Sequence, residues 1–214
     1  MQKVEDETIV NRFEKEAPLW DESPQRKILS GAIANTLVNS IQLNAGQRVL
    51  DYGAGTGLIT LEIAKRVNHV VAMDSSPAML KVLGDKITAF GVENVGVEVC
   101  DLEKDLLADK FDVIFSSMTM HHIGEPFQLI KKFHDALLSG GSLAISDLDT
   151  ESGNFHPDNT GIKHFGFERG IWEAQLLDMG FCNVQATTAY TLQKETESGK
   201  KETFTIFVIT AQKP

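Results

Sequence analysis

The sequence has little with which to cross-link itself or to enter a membrane. Its two cysteines, Cys100 and Cys182, cannot build a disulfide framework, neither sits in a Cys-x-x-Cys pair, and both read as buried strand residues. No uninterrupted apolar run approaches the roughly 20 residues that a membrane-spanning helix needs. The acidic start, residues 1–7, lacks the basic region and the apolar stretch of a secretion signal, so a cytoplasmic location is expected. Basic residues never cluster beyond Lys131-Lys132 and Lys200-Lys201. With 30 acidic against 20 basic residues and a formal charge of −10, the chain has no cationic track to displace counterions from phosphate. Nucleic acid and membrane are therefore not expected partners. Internal repeats and low-complexity tracts are missing too. What remains is ordinary for one packed core: 214 residues, 42% apolar and 23% charged.

Strand-like and helix-like segments alternate from about residue 47. Residues 48–52 form a β-rich run ending in glycines, after which Ile59, Ile63 and Val67 mark one helix face. A second strand spans 69–73. Ser76-Pro77 reads as an N-cap with proline at the first helical position, opening a helix that buries Leu80, Leu83, Ile87 and Phe90. Strands follow at 95–99 and 111–116. Phe127, Ile130, Phe133 and Leu137 then line a helix stopped by Gly140-Gly141, and 142–146 is the fifth strand. Short apolar strands between helices predict a parallel sheet covered on both faces. After a helix bearing Trp172, Leu176 and Met179 come two long β-rich runs, 183–194 and 203–211. Residues 195–200 between them are too few for a helical crossover, so the runs should pair antiparallel. The expected fold is α/β: a Rossmann-like seven-stranded sheet with helices on both faces and its last strand antiparallel. Residues 1–46 read as an N-terminal helical lid segment with Leu29, Ile33, Leu37 and Ile41 at four-residue steps; residues 47–214 form the main domain.

The chemistry concentrates after the first strand. Asp51-Tyr52-Gly53-Ala54-Gly55-Thr56-Gly57 leads into a helix, and glycines serve where a backbone turns sharply or must approach a ligand closely. In an open α/β sheet, ligands bind beyond the carboxyl ends of the strands, where this loop lies. Asp74 ends the second strand beside Ser75, a carboxylate suited to two ribose hydroxyls or else simply to opening the next turn. Asp101 ends the third strand and Ser117 lies near the end of the fourth. Four polar strand ends in register point to a nucleoside-containing ligand. The glycines do not follow the dinucleotide spacing Gly-x-Gly-x-x-Gly, whose third position here is Leu58. Asp51 before the loop suits a cofactor with an ammonium and a sulfonium better than a pyrophosphate.

These residues resemble the class I S-adenosylmethionine-dependent methyltransferases, particularly the small-molecule type 11 group that includes the ubiquinone and menaquinone methyltransferases. Residues 49–57 look like the family's first motif, Val71-Ala72-Met73-Asp74 like its acidic strand end, and Cys100-Asp101-Leu102 like its adenine-contacting stretch. Phe111-Asp112-Val113-Ile114 matches the fourth strand, and Leu137-Leu138-Ser139-Gly140-Gly141 the helix end before the fifth. The family often has cysteine where Ala54 stands. The resemblance implies S-adenosyl-L-methionine as cofactor and a small-molecule methyl acceptor. It also implies that Gly53, Gly55 and Gly57 shape the loop around the methionine part, with Asp51 supporting its ammonium. Asp74 and Ser75 would sit at the ribose, Asp101 and the Leu102 N–H at the adenine, and the Ser117 carbonyl near the ammonium. A nicotinamide-dependent oxidoreductase and a nucleoside-binding partner subunit without turnover are the rival readings.

Methyl transfer is an in-line displacement, so an enzyme gains by holding the nucleophile and excluding water; a base is needed only if the nucleophile arrives protonated. His121 and His122 follow the fourth strand and are the candidate catalytic residues, either as a base or as shapers of their loop. Metal is not expected, because no third and fourth ligand have suitable spacing. Residues 149–167 form a loop over the active site with His156 and His164, either covering the substrate or running along the surface with Phe165 and Phe167 tucked inward. Trp20, in the N-terminal segment, is either part of a lid or an aromatic staple on the first helix.

Overall fold

A computed structural model describes residues 12–195 and 199–214. The acidic start and the first part of the expected lid segment, residues 1–11, lie outside the described residues.

Seven strands form one sheet: β1 (Arg48–Tyr52), β2 (His69–Asp74), β3 (Val95–Val99), β4 (Phe111–Ser117), β5 (Leu137–Leu148), β6 (Cys182–Glu195) and β7 (Lys201–Gln212), in the order β3-β2-β1-β4-β5-β7-β6. Strands β1 to β5 pair in parallel, while β7 runs antiparallel to both β5 and β6. This is the expected Rossmann-like α/β architecture. Helix α1 (Pro24–Ser40) precedes β1, and α2 (Thr60–Ala64), α3 (Pro77–Phe90), α4 (Pro126–Ala136) and α5 (Arg169–Asp178) lie between strands. Neighbouring residues of one strand serve opposite layers, because strand side chains alternate. Leu50 and Tyr52 join Phe133, Trp172 and Leu176, whereas Val49 joins Ile33, Leu37 and Ile63. Both faces are thus covered, which is why the parallel strands are nearly all apolar. Among the described residues, no helix is long and apolar enough to cross a membrane.

The cap expected at Ser76 is present, its hydroxyl accepting from the Met79 N–H, and α3 ends on Gly91 in the left-handed conformation. Three expectations need correction. Phe90 is not inward: it closes α3 beside edge strand β3, with no further strand to cover it, and is 70% exposed. Helix α4 stops at Ala136, not at Gly140-Gly141, because Leu137 is already extended and pairs with Phe111. The two glycines lie inside β5 where its register with β4 shifts, and a Cβ on Gly141 would stand 3.0 Å from the Asp112 carbonyl. Cys100 is buried just past β3 instead of within it, where burial pushes its thiol up to about 11, and Cys182 is half-buried at the start of β6.

Candidate active site

The strand order reverses between β1 and β4: β1 leads outward to β2 and β3 on one side, and β4 to β5 on the other. Chain leaving adjacent strands diverges there, which opens a crevice at their carboxyl ends. A cavity of about 600 Å³ occupies it.

The glycine loop forms one wall. Gly53 and Ala54 donate their N–H groups to the Met73 carbonyl at 2.8 and 3.0 Å, tying the loop to β2. Gly57 has φ +79°, and a Cβ there would fall 2.2 Å from Leu83 Cδ1, so this glycine lets the loop seat on α3 and does not line the cavity. Gly55 does line it: its φ is +55°, and a Cβ there would meet no atom within 4 Å. The carboxylate of Asp74 holds this loop in shape, Oδ2 accepting from Gly55 N and Oδ1 from Ser76 N, both at 2.8 Å. Burial raises the Asp74 carboxyl, against the pull of these N–H groups and that of Ser75. Ser75 lines the same wall.

Asp51 lies deeper. It is buried and accepts from the Thr60 hydroxyl at 2.5 Å. Burial pushes its carboxyl up to about 7 against the Thr60 hydrogen bond, with the nearby Asp74 charge adding to the rise. Asp101 lines the cavity, accepting from Glu103 N at 3.1 Å and from Lys104 Nζ at 2.7 Å. Leu102 does not: it is fully buried, its N–H meets the Tyr52 hydroxyl, and its carbonyl accepts from Lys132 at 2.5 Å. Ser117 is in the wall with its hydroxyl buried and, among the described residues, without a hydrogen-bond partner.

The N-terminal segment closes this end of the cavity. Within the 3-10 helix Ala17–Glu22, Asp21 receives the Thr56 hydroxyl and the Lys86 ammonium, both at 2.6 Å. Glu14 accepts from the Ser76 hydroxyl at 2.8 Å and the Ala78 N–H at 3.0 Å. Trp20 faces the cavity beneath the Arg26 guanidinium, 3.6 Å from its ring centre, while Phe13 stands edge-on to both Trp20 and His122.

Beside the glycine loop, β4 is followed by Met118, a non-glycine residue at φ +53°, and by the 3-10 helix Met120–His122. His121 is buried, with Nδ1 2.8 Å from Asp147 Oδ1 and its backbone N–H on Asp147 Oδ2 at 3.1 Å. Its Nε2 has no hydrogen-bond partner among the described residues. His122 donates from Nδ1 to the Gly161 carbonyl at 3.1 Å, and burial followed by His121 lowers it to about 3. His156, from the loop at 149–167, brings its ring within 5.0 Å of His121; burial, then His121 and Arg12, lowers it to about 4. His164 is not in the cavity lining: its Nε2 bonds the Ile123 carbonyl at 3.0 Å and its ring lies against Phe167. That bond, with the Lys163 and His164 N–H groups on the His121 carbonyl, lays the loop over the histidine turn. Arg169 pins the base of the loop by a two-pronged pair to Asp149 at 2.7 and 2.6 Å. Of the two phenylalanines, Phe167 is buried and Phe165 is exposed. Among the described residues, no group of three or more His, Cys, Asp and Glu is placed to hold a metal ion.

Asp147 is the residue that sequence reasoning missed. It ends an apolar strand run just as Asp74 and Asp101 do, and that was the available signal. Phe13, Arg12, Phe155 and Lys194 also line the cavity, and nothing in their local sequence marks them.

Residues 43–197 match a family model described as a methyltransferase domain. An uncharacterized methyltransferase of Schizosaccharomyces pombe is 28% identical over 192 residues, 83% of this chain and 66% of its own. A malonyl-[acyl-carrier protein] O-methyltransferase of Calditerrivibrio nitroreducens is 31% identical over 150 residues, 68% of this chain and 56% of its own. The chain spans at most about two thirds of the length of these relatives. Among solved structures, Haemonchus contortus phosphoethanolamine N-methyltransferase 2 in complex with S-adenosyl-L-methionine superposes with a TM-score of 0.67 at 19% identity, over 83% of this chain and 51% of that one. That likeness is one of fold.

Proposed function

Because this chain belongs to the methyltransferase-domain family, we propose that it is an S-adenosyl-L-methionine-dependent methyltransferase acting on a small-molecule acceptor. The observation that carries the reading is the glycine loop, which turns a bare backbone at Gly55 toward a cavity ringed by the carboxylates of Asp51, Asp74 and Asp101. That donor set fits a nucleoside with an ammonium: acids for hydroxyls, amino groups and positive charge, and no Cβ where the backbone must come close. The bound cofactor supplies an electrophilic methyl on a sulfonium. Asp51 and the Ser117 carbonyl receive its ammonium, Asp74 and Ser75 the ribose hydroxyls, and Asp101 the adenine amino group. Gly53 and Gly55 flank its methionine portion. Leu102, with its N–H on Tyr52, anchors the strand end that carries Asp101. Residues 12–22, with Trp20, and the loop at 149–167, with His156, meet where Arg12 donates to the Asp158 carbonyl at 3.0 Å, and together they exclude water. His121 and His122 face the acceptor, and His164 acts only by holding the loop.

Phe13, Trp20, Phe155 and Leu192 also line the cavity, a surface for an apolar small molecule. A net charge of −10 disfavours nucleic acid. The two cysteines are free thiols, in keeping with the reducing cytoplasm.

A thermal-shift comparison of S-adenosylmethionine, S-adenosylhomocysteine, NAD and NADP tests the reading. Ligand at 100 times its dissociation constant adds about 2.7 kcal/mol, or roughly 5 to 10 °C for a chain of this size. The adenosyl ligands alone should produce it. A shift with a dinucleotide alone overturns the assignment.

Binding should also depend on pH through Asp51. Its folded-state carboxyl lies near 7, above the ordinary value of 3.8, so the empty site takes up a proton between those limits. The stability gained by that uptake is full below the ordinary value and is lost as pH rises through about 7. A cationic ligand favours the ionised form, so it must expel the proton at acid pH. Cofactor affinity is expected to fall by up to about tenfold per unit from pH 7 down to pH 5, and Asp51→Asn should flatten the curve. Calorimetry in paired buffers of different ionisation enthalpy reads the proton directly.

A further inference from the structure

The hydrogen bonds around Asp147 fix the protonation pattern of His121. Asp147 is buried, and its two oxygens accept from the His121 N–H at 3.1 Å and the Leu148 N–H at 2.7 Å as well as facing Nδ1 at 2.8 Å. A carboxylate that takes these N–H groups is an acceptor, so the Nδ1 facing it carries the proton. The lone pair is thereby placed on Nε2, which is buried and has no hydrogen-bond partner among the described residues. A buried acceptor left bare beside a cavity is a site awaiting a donor. His122 also donates from Nδ1, to the Gly161 carbonyl, but it is a weak base, because burial and then His121 lower its ring to about 3.

Resting on the methyl-transfer reading above, we propose that His121 is the general base, that Asp147 positions it, and that the acceptor is a phenolic hydroxyl. An acceptor that is already an anion, such as a carboxylate, would set its charge against the Nε2 lone pair. A phenol presents O–H instead, and with an ordinary value near 10, like tyrosine, it reaches the site protonated and gains from a base. The walls agree with a flat aromatic body: Phe13, Trp20 and Phe155 line the same cavity, with Phe13 edge-on to His122 and Phe155 edge-on to His156. The His156 ring, on the loop at 149–167, stands 5.0 Å from that of His121 and bounds the same space. The hydroxyl proton passes to Nε2 as the oxygen lone pair forms the new C–O bond. The carbon–sulfur bond breaks and its electron pair neutralises the sulfonium. An aryl methyl ether and a thioether remain, with an imidazolium facing Asp147 that returns its proton to water.

Asp147→Asn tests the positioning role. The Asn amide donates to Nδ1, moves the proton to Nε2 and removes the accepting lone pair. On a panel of phenols, kcat is expected to fall at least 100-fold, within the 10²- to 10⁴-fold range of general-base catalysis. Affinity for S-adenosylhomocysteine and KM for the phenol should stay within about threefold, in the manner of an interaction made only in the transition state. Activity should recover in part as pH approaches the phenol's own value. The titratable groups facing His121 are Asp147, His122 and His156, with Arg12 and Lys194 beyond His156, so the wild-type profile is read against His122→Asn and His156→Asn. Nitrogen-15 NMR of the imidazole should show Nδ1–H in the wild type and Nε2–H in the variant. If Asp147→Asn does not fold, His121→Gln and the wild-type NMR spectrum decide the matter. A wild-type Nε2–H tautomer, full kcat in either folded variant, or turnover of benzoates but not phenols overturns the inference while leaving the methyltransferase reading intact. Failure of the wild type to bind S-adenosylhomocysteine sinks both.

Discussion

Gly55→Val is expected to weaken S-adenosylhomocysteine binding at least 100-fold while circular dichroism and the cooperative melt of the sheet persist. At φ +55° a β-branched residue is strained by about 1–2 kcal/mol, a modest loss for a domain of this size. An added Cβ meets no protein atom within 4 Å, so the side chain leaves the backbone into open space. It projects into the space where a ligand must lie against the backbone. Position 57 supplies the contrast. A Cβ at Gly57 would overlap Leu83 Cδ1 at 2.2 Å, so Gly57→Ala should lower the melting temperature more than it lowers affinity. Calorimetry and thermal melts on both variants check the pair. Equal affinity in wild type and Gly55→Val would mean that the ligand does not lie on this loop.

Asp74→Ala should cost about 100-fold in cofactor affinity and about 1–3 kcal/mol in stability. The two losses have separate origins. The carboxylate holds the N–H groups of Gly55 and Ser76 at 2.8 Å each, and without it both are left unpaired in a half-buried loop. The same oxygens are assigned to the ribose hydroxyls, and two charge-assisted hydrogen bonds vanish with them. Asp74→Asn separates these effects: its remaining carbonyl keeps one backbone bond, so stability should recover further than affinity. Measuring affinity for adenosine and for 2′-deoxyadenosine isolates the hydroxyl contribution. A variant that binds both nucleosides as wild type does would restrict Asp74 to its role in the loop.

Strands β1 and β3 were legible to the residue because glycine and polar turn residues punctuate both ends of short apolar runs. The reversed β7 was legible for a different reason, since six intervening residues cannot carry a crossover. Local pattern misled where one residue type serves two purposes. Gly140-Gly141 looks like a helix stop, yet it lets β5 pass close to the Asp112 carbonyl, a contact that exists only once β4 and β5 are side by side. Phe90 keeps helical spacing with Leu83 and Ile87, but spacing does not reveal that the sheet ends beside it. In the site, the acids and glycines at strand ends could be read because each strand delivers its own terminal residue to the crevice. Asp147 was passed over although it obeys the same rule, and its partner His121 lies 26 positions away. Phe13, Arg12 and Lys194 reach the cavity through folding of distant segments, so no local pattern could have placed them there.

The bonds from Asp21 to Thr56 and from Glu14 to Ser76 and Ala78 attach the N-terminal segment to the glycine loop and to the start of α3, not to the sheet at large. Closure of that segment and ordering of the loop are therefore a single equilibrium viewed from two ends. Thermodynamic linkage makes the traffic reciprocal: a ligand that orders the loop tightens the segment, and whatever loosens the segment weakens the ligand by the same factor. Protease cleavage near residues 12–22 is accordingly a gauge of cofactor occupancy, slowing as the loop fills and resuming as it empties.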